Sequence, residues 1–335
     1  MKNISGLIVY GFAAILVPLA GCLEINVKTI ISTDGSSERV VSVKRPSQSL
    51  PEHAYPLPSD TSWTTEWKET GDKDLPYEYT ARKKFATPEA LAAEYARQPD
   101  TGAVRLTFSL EKSFEWFFTY FDYRETYTLR NPFRRIPASE YFTTEEIGRI
   151  GRGEKTDSLN KKIEEWDFRN MFEELYGRLI DAVGTGDPAV NRSSLEKVKE
   201  EMYRFVREDT SKNEKDDVRN TLRLLRRALH TDVIFRYEHD VARVLAEVDS
   251  MLESRNAPTR WVSSVVMSGL LIGTNGEVVE GNAITWTFEA KQLLVGEYPM
   301  EARSRVVNVW AFIVTGFAGL LILLPAILRL LRRRA

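Results

Sequence analysis

Cys22 is the one cysteine of the 335-residue chain, and it closes the tetrapeptide Leu19-Ala20-Gly21-Cys22 at the end of an apolar stretch that starts near Met1. A lone thiol forms no disulfide within its chain and no multi-thiolate zinc site. What remains to it is nucleophilic chemistry, as the acceptor of a covalent group. Leu19 ahead of the small residues Ala20 and Gly21 suits a peptidase pocket that cuts before the cysteine. Packing explains this placement poorly, because the residue ends an apolar segment.

Other chemistry is sparse. The three histidines are His53, His230 and His239. His230 and His239 are about nine residues apart, two and a half turns, so on one continuous helix they point in opposite directions. Both reach one metal only if the helix breaks near His230-Thr231-Asp232. No Gly-x-Ser-x-Gly elbow and no phosphate-binding glycine loop occurs. Gly148-x-x-Gly151-x-Gly153 follows no strand and reads as a flexible interhelical turn. The acid pairs Glu164-Glu165 and Glu173-Glu174 read as solvent-side groups that pair at i,i+4. No catalytic residue, metal ligand or cofactor is expected, and the chain is read as no enzyme.

The segments that would position Cys22 are short. Met1-Lys2-Asn3 carries one positive side chain, and Ile4 to Pro18 is an apolar run of about 15 residues, too short to span a bilayer and of signal-peptide length. With Leu19-Ala20-Gly21-Cys22 this resembles the lipobox of bacterial lipoproteins, the substrates of prolipoprotein diacylglyceryl transferase and signal peptidase II. The resemblance implies a diacylglyceryl group on Cys22 and cleavage that makes Cys22 the mature N-terminus.

A second membrane signal lies at the other end. From Val306 to Leu328 there is no charge, about 23 residues or roughly 34 Å as a helix, with Trp310 near its start. Arg329, Arg332, Arg333 and Arg334 follow and place that flank in the cytoplasm. Thr315, Gly316, Ala318 and Gly319 form a small-residue face within the run. Residues 23–305 are then expected outside, held between two anchors in one cytoplasmic membrane. Setting Lys2 and the four terminal arginines aside leaves 41 of the 46 Lys and Arg residues against all 48 Asp and Glu. That mild acidity argues against a nucleic-acid partner.

Along the exported part, Leu23 to Ser32 alternates apolar and polar residues, Asp34-Gly35-Ser36 marks a turn, and Glu38 to Lys44 resumes, a hairpin. Residues 45–76 read as a long surface connection with room for a short helix around Thr61–Thr70. Tyr77 to Ala86 reads as a strand. Thr87 caps a short helix with Pro88 at its first position and Leu91, Ala92 and Tyr95 inward. Ala103 to Arg130 is the most strand-like stretch. Within it Phe114, Trp116, Phe118 and Tyr120 share a face, and a strand covered on both sides is expected. That face is either core or the wall of an apolar site for a lipid, with core the stronger reading.

From Asn131-Pro132 the period becomes helical. Thr143-x-x-Glu146 is a capping box. Leu159 to Val183, Ser193 onward, and Val218 to Leu252 carry amphipathic patterns. After Ala257-Pro258 strands return, with the Asn275-Gly276 turn between them. The fold class is α+β: one antiparallel sheet domain with a long all-helical insertion, plus a C-terminal transmembrane helix. The boundaries are 1–21 signal peptide, 22–132 and 257–305 β-rich domain, 133–256 insertion, 306–328 span and 329–335 basic tail. First and last strands are expected beside the membrane.

This layout resembles LppM-type lipoproteins: lipobox, β-rich exported domain, one C-terminal span and an arginine tail. The resemblance implies association with envelope lipids and carries no ligand residue across. Three functions are carried forward. The first is a non-catalytic binding or assembly module with an envelope protein as partner. The second is capture of a hydrophobic ligand between the aromatic strand and the helices, and the third is an envelope hydrolase with an unrecognised site. The lipobox makes one direct prediction. Cys22→Ala should abolish incorporation of labelled palmitate and leave the precursor uncut, read by autoradiography and gel shift; unchanged labelling would remove the lipid anchor.

Overall fold

The computed structural model describes residues 24–48, 61–97, 104–184, 187–208, 217–254 and 260–334. The tetrapeptide Leu19-Ala20-Gly21-Cys22, the expected signal peptide and His53 lie outside the described residues.

Alternating burial marks β1 (Glu24–Ile31), β2 (Ser37–Arg45) and β4 (Tyr77–Phe85), while β3 (Thr64–Glu69) is exposed throughout. The β1–β2 turn is set by Asp34, which accepts from the Ser36 amide and hydroxyl, with Gly35 at φ +95°. β3 replaces the short helix expected around Thr61–Thr70. Its exposed side chains carry no helical stripe, and its backbone pairs with β4 along one sheet edge. Helix α1 (Pro88–Ala96) is capped by Thr87, which accepts from the Ala90 amide, and it buries Leu91 and Tyr95.

β5 (Val104–Glu115) and β6 (Phe118–Leu129) form a hairpin where one continuous strand was expected. The helices α2 (Ala138–Tyr141), α3 (Thr144–Gly151), α4 (Asp157–Val183), α5 (Arg192–Glu208), α6 (Asp217–Leu229) and α7 (Glu238–Ser254) follow, with a 3-10 turn at Asp232–Tyr237 before α7. The chain then forms β7 (Arg260–Val266), β8 (Leu270–Thr274), β9 (Val278–Glu280), β10 (Ala283–Glu289), α8 (Ala290–Val295), β11 (Tyr298–Val307) and α9 (Val309–Arg334).

The strands make two sheets, not the single one expected. One has the order β3-β4-β2-β1-β7-β10-β9 and the other β5-β6-β11-β8. Eleven twisted strands in one layer would curl or split; two layers bury both apolar faces against each other. The shared core includes Ile25, Val41, Ala81, Trp261 and Trp286 from the larger sheet and Leu106, Phe121, Tyr123, Tyr127 and Met300 from the smaller. Pairing is antiparallel apart from β1 with β7, which are parallel. The helices return the chain to the pole where β1 starts, so β7 must run alongside it.

That pole has a consequence for anchoring. Ile25 is in register with Trp261, and Trp261 with Phe288. The Phe288 ring lies 4.2 Å from that of Tyr298, the first residue of β11. At the other pole Lys112, three rows from the hairpin end, donates to the Asp34 carbonyl of the β1–β2 turn. β1 and β11 therefore begin together, and the ten residues of β11 carry its end about 30 Å away. The start of the first strand and the end of the last therefore lie at opposite poles of the sandwich.

α9 starts at Val309, not Val306, because Val306 and Val307 complete β11. Among the described residues no helix is long and apolar enough to cross a membrane. The apolar side chains described run from Val309 to Pro325, about 25 Å of helix against a hydrocarbon core of roughly 30 Å.

The helical module packs α4, α5, α6 and α7 around Phe172, Leu179, Leu195, Met202, Leu222, Leu225, Val241 and Val244. α6 ends at Leu229 and His230 takes φ +53°, the left-handed stop of a helix end. Thr231 then caps the 3-10 turn. Glu174 is buried rather than on the solvent side, bonded to Arg135 and Arg178. Of the expected glycine turn, Gly148 and Gly151 are helical and only Gly153 is left-handed, at φ +72°. The Gly153 amide bonds to Ile150 and the Glu154 amide to Arg149, a Schellman stop. Gln292 of α8 packs on Gly153 and donates to the Gly151 carbonyl, tying the helical module to the sandwich.

The two sheets are joined inside the core by an ion pair. Arg39 of β2 and Glu125 of β6 are wholly buried and meet through two hydrogen bonds of 2.8 and 2.7 Å. Arg39 also donates to Thr29 Oγ1 and lies over the Tyr95 ring. The hydroxyls of Tyr123 and Tyr127 donate to the two Glu125 oxygens. Burial alone would raise the Glu125 carboxyl, but the Arg39 charge and the bonds it accepts hold it below the usual carboxylate range.

Removing one partner strands the other charge. Arg39→Met should cost about 3–5 kcal/mol in chemical denaturation, and Arg39→Met with Glu125→Leu much less than the two singles summed. The pH dependence has a definite sign. A lowered folded value means that the carboxylate stabilises fully above its unfolded value of about 4.3 and ceases to as pH falls through the folded value. The melting-temperature gap between wild type and Glu125→Gln should therefore be widest near neutrality and shrink in acid. A gap independent of pH would rule this out.

Candidate membrane-contact site

The β5–β6 hairpin projects a cluster of aromatic side chains at the pole where β11 ends. Glu115 pairs with Phe118 across the turn Trp116-Phe117, and Phe118 pairs with Val307 at the end of β11. Phe114 is 59% exposed and Trp116 48% exposed. This corrects the expectation of a strand covered on both sides: Phe114 and Trp116 lie at the open end of the smaller sheet, while Phe118 and Tyr120 are half-buried on its outer face.

The rings meet the root of α9 instead of the helical module. Phe114 stacks on Trp310 at 6.1 Å, and Trp116 meets Trp310 edge-on at 5.2 Å. Phe117 and Phe118 lie 4.6 and 6.3 Å from Phe312. The Trp116 indole donates to Thr315 Oγ1. From Val309 onward α9 exposes Val309, Phe312, Ile313, Val314, Phe317 and Leu321 among other apolar side chains.

A polar clamp holds the root. Asn308 is buried and sits between strand and helix. Its side-chain amide donates to the carbonyls of Glu115 and Trp116, and its oxygen accepts from Thr119 Oγ1. Its backbone amide bonds to the Phe117 carbonyl. Hairpin tip and helix root are thus one unit.

This arrangement suits a water–hydrocarbon boundary. Trp and Tyr rings with one apolar and one polar end favour that zone. A continuous exposed apolar surface of this length far exceeds what soluble monomers display. Arg329 is exposed near the far end of α9, and Arg332, Arg333 and Arg334 fall within the last turns of that helix.

Elsewhere the site inventory is thin. A shallow hollow of about 550 Å³ lies on the smaller sheet, lined by Glu111, Asp122, Arg124, Thr274, Asn275, Glu301 and Arg303 among others. Arg124–Glu301 and Arg303–Asp122 ion pairs already hold four of its five charged side chains. It is polar and does not include Phe114, Trp116, Phe118 or Tyr120, so it is not the expected apolar site. His230 and His239 are both exposed and separated by the 3-10 turn. Among the described residues no group of three His, Cys, Asp or Glu could hold a metal ion.

Asn308, Phe312, Phe117 and Arg305 were not singled out from sequence. The hairpin turn contains no glycine and no residue with positive φ, so it lacks the mark by which hairpins are recognised. The pairing of Trp116 with Trp310 could have been sought from two tryptophans flanking apolar segments.

No family model matches the sequence. No curated protein matches it. Among solved structures, the NMR structure of the folded domain of the LppM protein from Mycobacterium tuberculosis is similar, at 9% identity and a TM-score of 0.31, over 88% of this chain and 95% of that one.

The clamp yields a prediction. Asn308→Ala leaves Thr119 and two carbonyls without partners, a cost of about 1–3 kcal/mol. Amide exchange of Ala311 to Thr315 should accelerate in detergent while that of β1 and β7 stays unchanged. Equal acceleration throughout would mean global destabilisation and no local clamp.

Proposed function

We propose that the protein is a non-catalytic, membrane-anchored envelope lipoprotein acting as a binding or assembly module at the outer face of the cytoplasmic membrane. The observation that carries this is the aromatic collar of Phe114, Trp116, Trp310 and Phe312 at the root of an exposed apolar helix. In water that surface would cost on the order of 25 cal/mol for each Å²; in a bilayer it costs nothing comparable.

In this reading α9 crosses the membrane. The sequence stays uncharged to Leu328, and Arg329, Arg332, Arg333 and Arg334 anchor the cytoplasmic side. The collar lies at the outer interface. An acylated Cys22 can lie no more than about 7 Å from Glu24, at the pole opposite the collar. With both anchors in one bilayer the sandwich then lies along the surface instead of standing on it. The helical module shares the Glu24 pole and presents its charged exterior to protein partners.

Two measurements test the reading. Protease added to spheroplasts should digest the sandwich and helical module, and protease added to inverted vesicles should not. In vesicles containing brominated lipid, tryptophan fluorescence should be quenched through Trp116 and Trp310. Trp116→Phe with Trp310→Phe should abolish most of that quenching. Digestion from the cytoplasmic side only, or quenching untouched by the double variant, would refute the arrangement.

A further inference from the structure

Next to the collar, the outer face of the smaller sheet carries two arginines that each lie over an aromatic ring. Arg303 and Arg305 are two apart on β11, so they point to the same side about 7 Å from each other. The Arg305 guanidinium lies 5.0 Å over the Phe118 ring and that of Arg303 5.1 Å over the Tyr120 ring. Arg303 is also paired with Asp122 at 3.2 Å. Among the described residues no carboxylate pairs with Arg305. Its neighbours across the sheet are Tyr120 and Leu270, the latter 59% exposed on the edge strand.

We propose that Arg305, assisted by Arg303, binds the phosphate of an anionic phospholipid headgroup in the bilayer that α9 enters. The proposal rests on the membrane reading above and adds to it a lipid preference. A guanidinium seated over a ring face is held there by the ring and still carries N–H donors that a phosphate accepts. The distance is right as well. Arg305 precedes Val307 by two residues, about 7 Å of strand, so wherever α9 enters the core the guanidinium stays within reach of a headgroup layer roughly 5–8 Å thick. Leu270 and the half-buried rings of Phe118 and Tyr120 give the glycerol and upper acyl segments an apolar bed. The exported part is acidic overall, with 41 basic against 48 acidic residues. General attraction therefore does not draw anionic lipid to it, and a preference must come from a local site.

The test uses the full chain reconstituted in phosphatidylcholine vesicles holding trace pyrene-labelled phosphatidylglycerol or pyrene-labelled phosphatidylcholine. Energy transfer from the tryptophans reports which labelled lipid gathers at the protein. Wild type should favour the anionic label, on the order of fivefold for one arginine contact. Arg305→Gln should remove most of that preference, and Arg303→Gln part of it. Arg124→Gln, on the same face but farther from the collar and paired with Glu301, should leave it unchanged. An equal preference in Arg305→Gln overturns the proposal. So does loss of the preference on adding millimolar inorganic phosphate, which would mark a free-anion site. Failure of the wild type to enter either vesicle would instead sink the membrane reading, and this one with it.

Discussion

The Arg39–Glu125 pair is the buried ionic contact on which the placement of the two sheets turns. Apolar faces attract without direction, and two twisted sheets can slide over each other at little cost. A buried charge pair cannot slide. A shift of two residues along β6 would leave Arg39 facing Tyr123 or Tyr127 and Glu125 facing hydrocarbon, at several kcal/mol for each ion. Thr29, Tyr95, Tyr123 and Tyr127 complete the network. Its net contribution to stability is small by the usual balance of desolvation against attraction. Our hypothesis is that it selects one register between sheets, and the double-substitution comparison above distinguishes that role from simple stabilisation.

Sheet placement then sets the two poles. With the register held, Tyr298 sits against Phe288 and the β11 strand must end at the far side. The collar, the Asn308 clamp and α9 gather there. The helical module gathers at the other pole through Gln292 on Gly153 and the Lys155–Glu289 ion pair. The molecule thus separates the aromatic collar from the helical module by the length of the sandwich.

Local patterns were legible in sequence where one physical cause acts alone. The β1–β2 hairpin follows from alternation plus Asp34-Gly35, and the Thr87 and Thr143 caps from a hydroxyl placed before the first turn. The break at His230 was readable from the β-branched residues after it. What failed was decided by partners distant in sequence. β3 is a strand only because β4 offers an edge. The split into two sheets depends on which faces meet, and the 114–123 stretch was read as one strand because Trp116-Phe117 turns without a turn residue. Nothing local marks that Arg39 and Glu125 point inward, and only their pairing makes burial tolerable.

The collar shows the same rule from the other direction. Trp116 and Trp310 are far apart in sequence yet meet edge-on, and neither alone says more than that an aromatic ring is present. Exposure alone would also be ambiguous, since single exposed hydrophobic residues are common. It is the coincidence of exposure with rigid mutual packing that discriminates. Rings that pack on each other and still face outward fit the apolar surrounding proposed above better than a missing core. Asn308 strengthens that conclusion, because four hydrogen bonds spent at one junction would be wasted on a helix free to swing. A clamp at that point makes sense when the helix is fixed in a medium and its angle determines how the sandwich meets the surface.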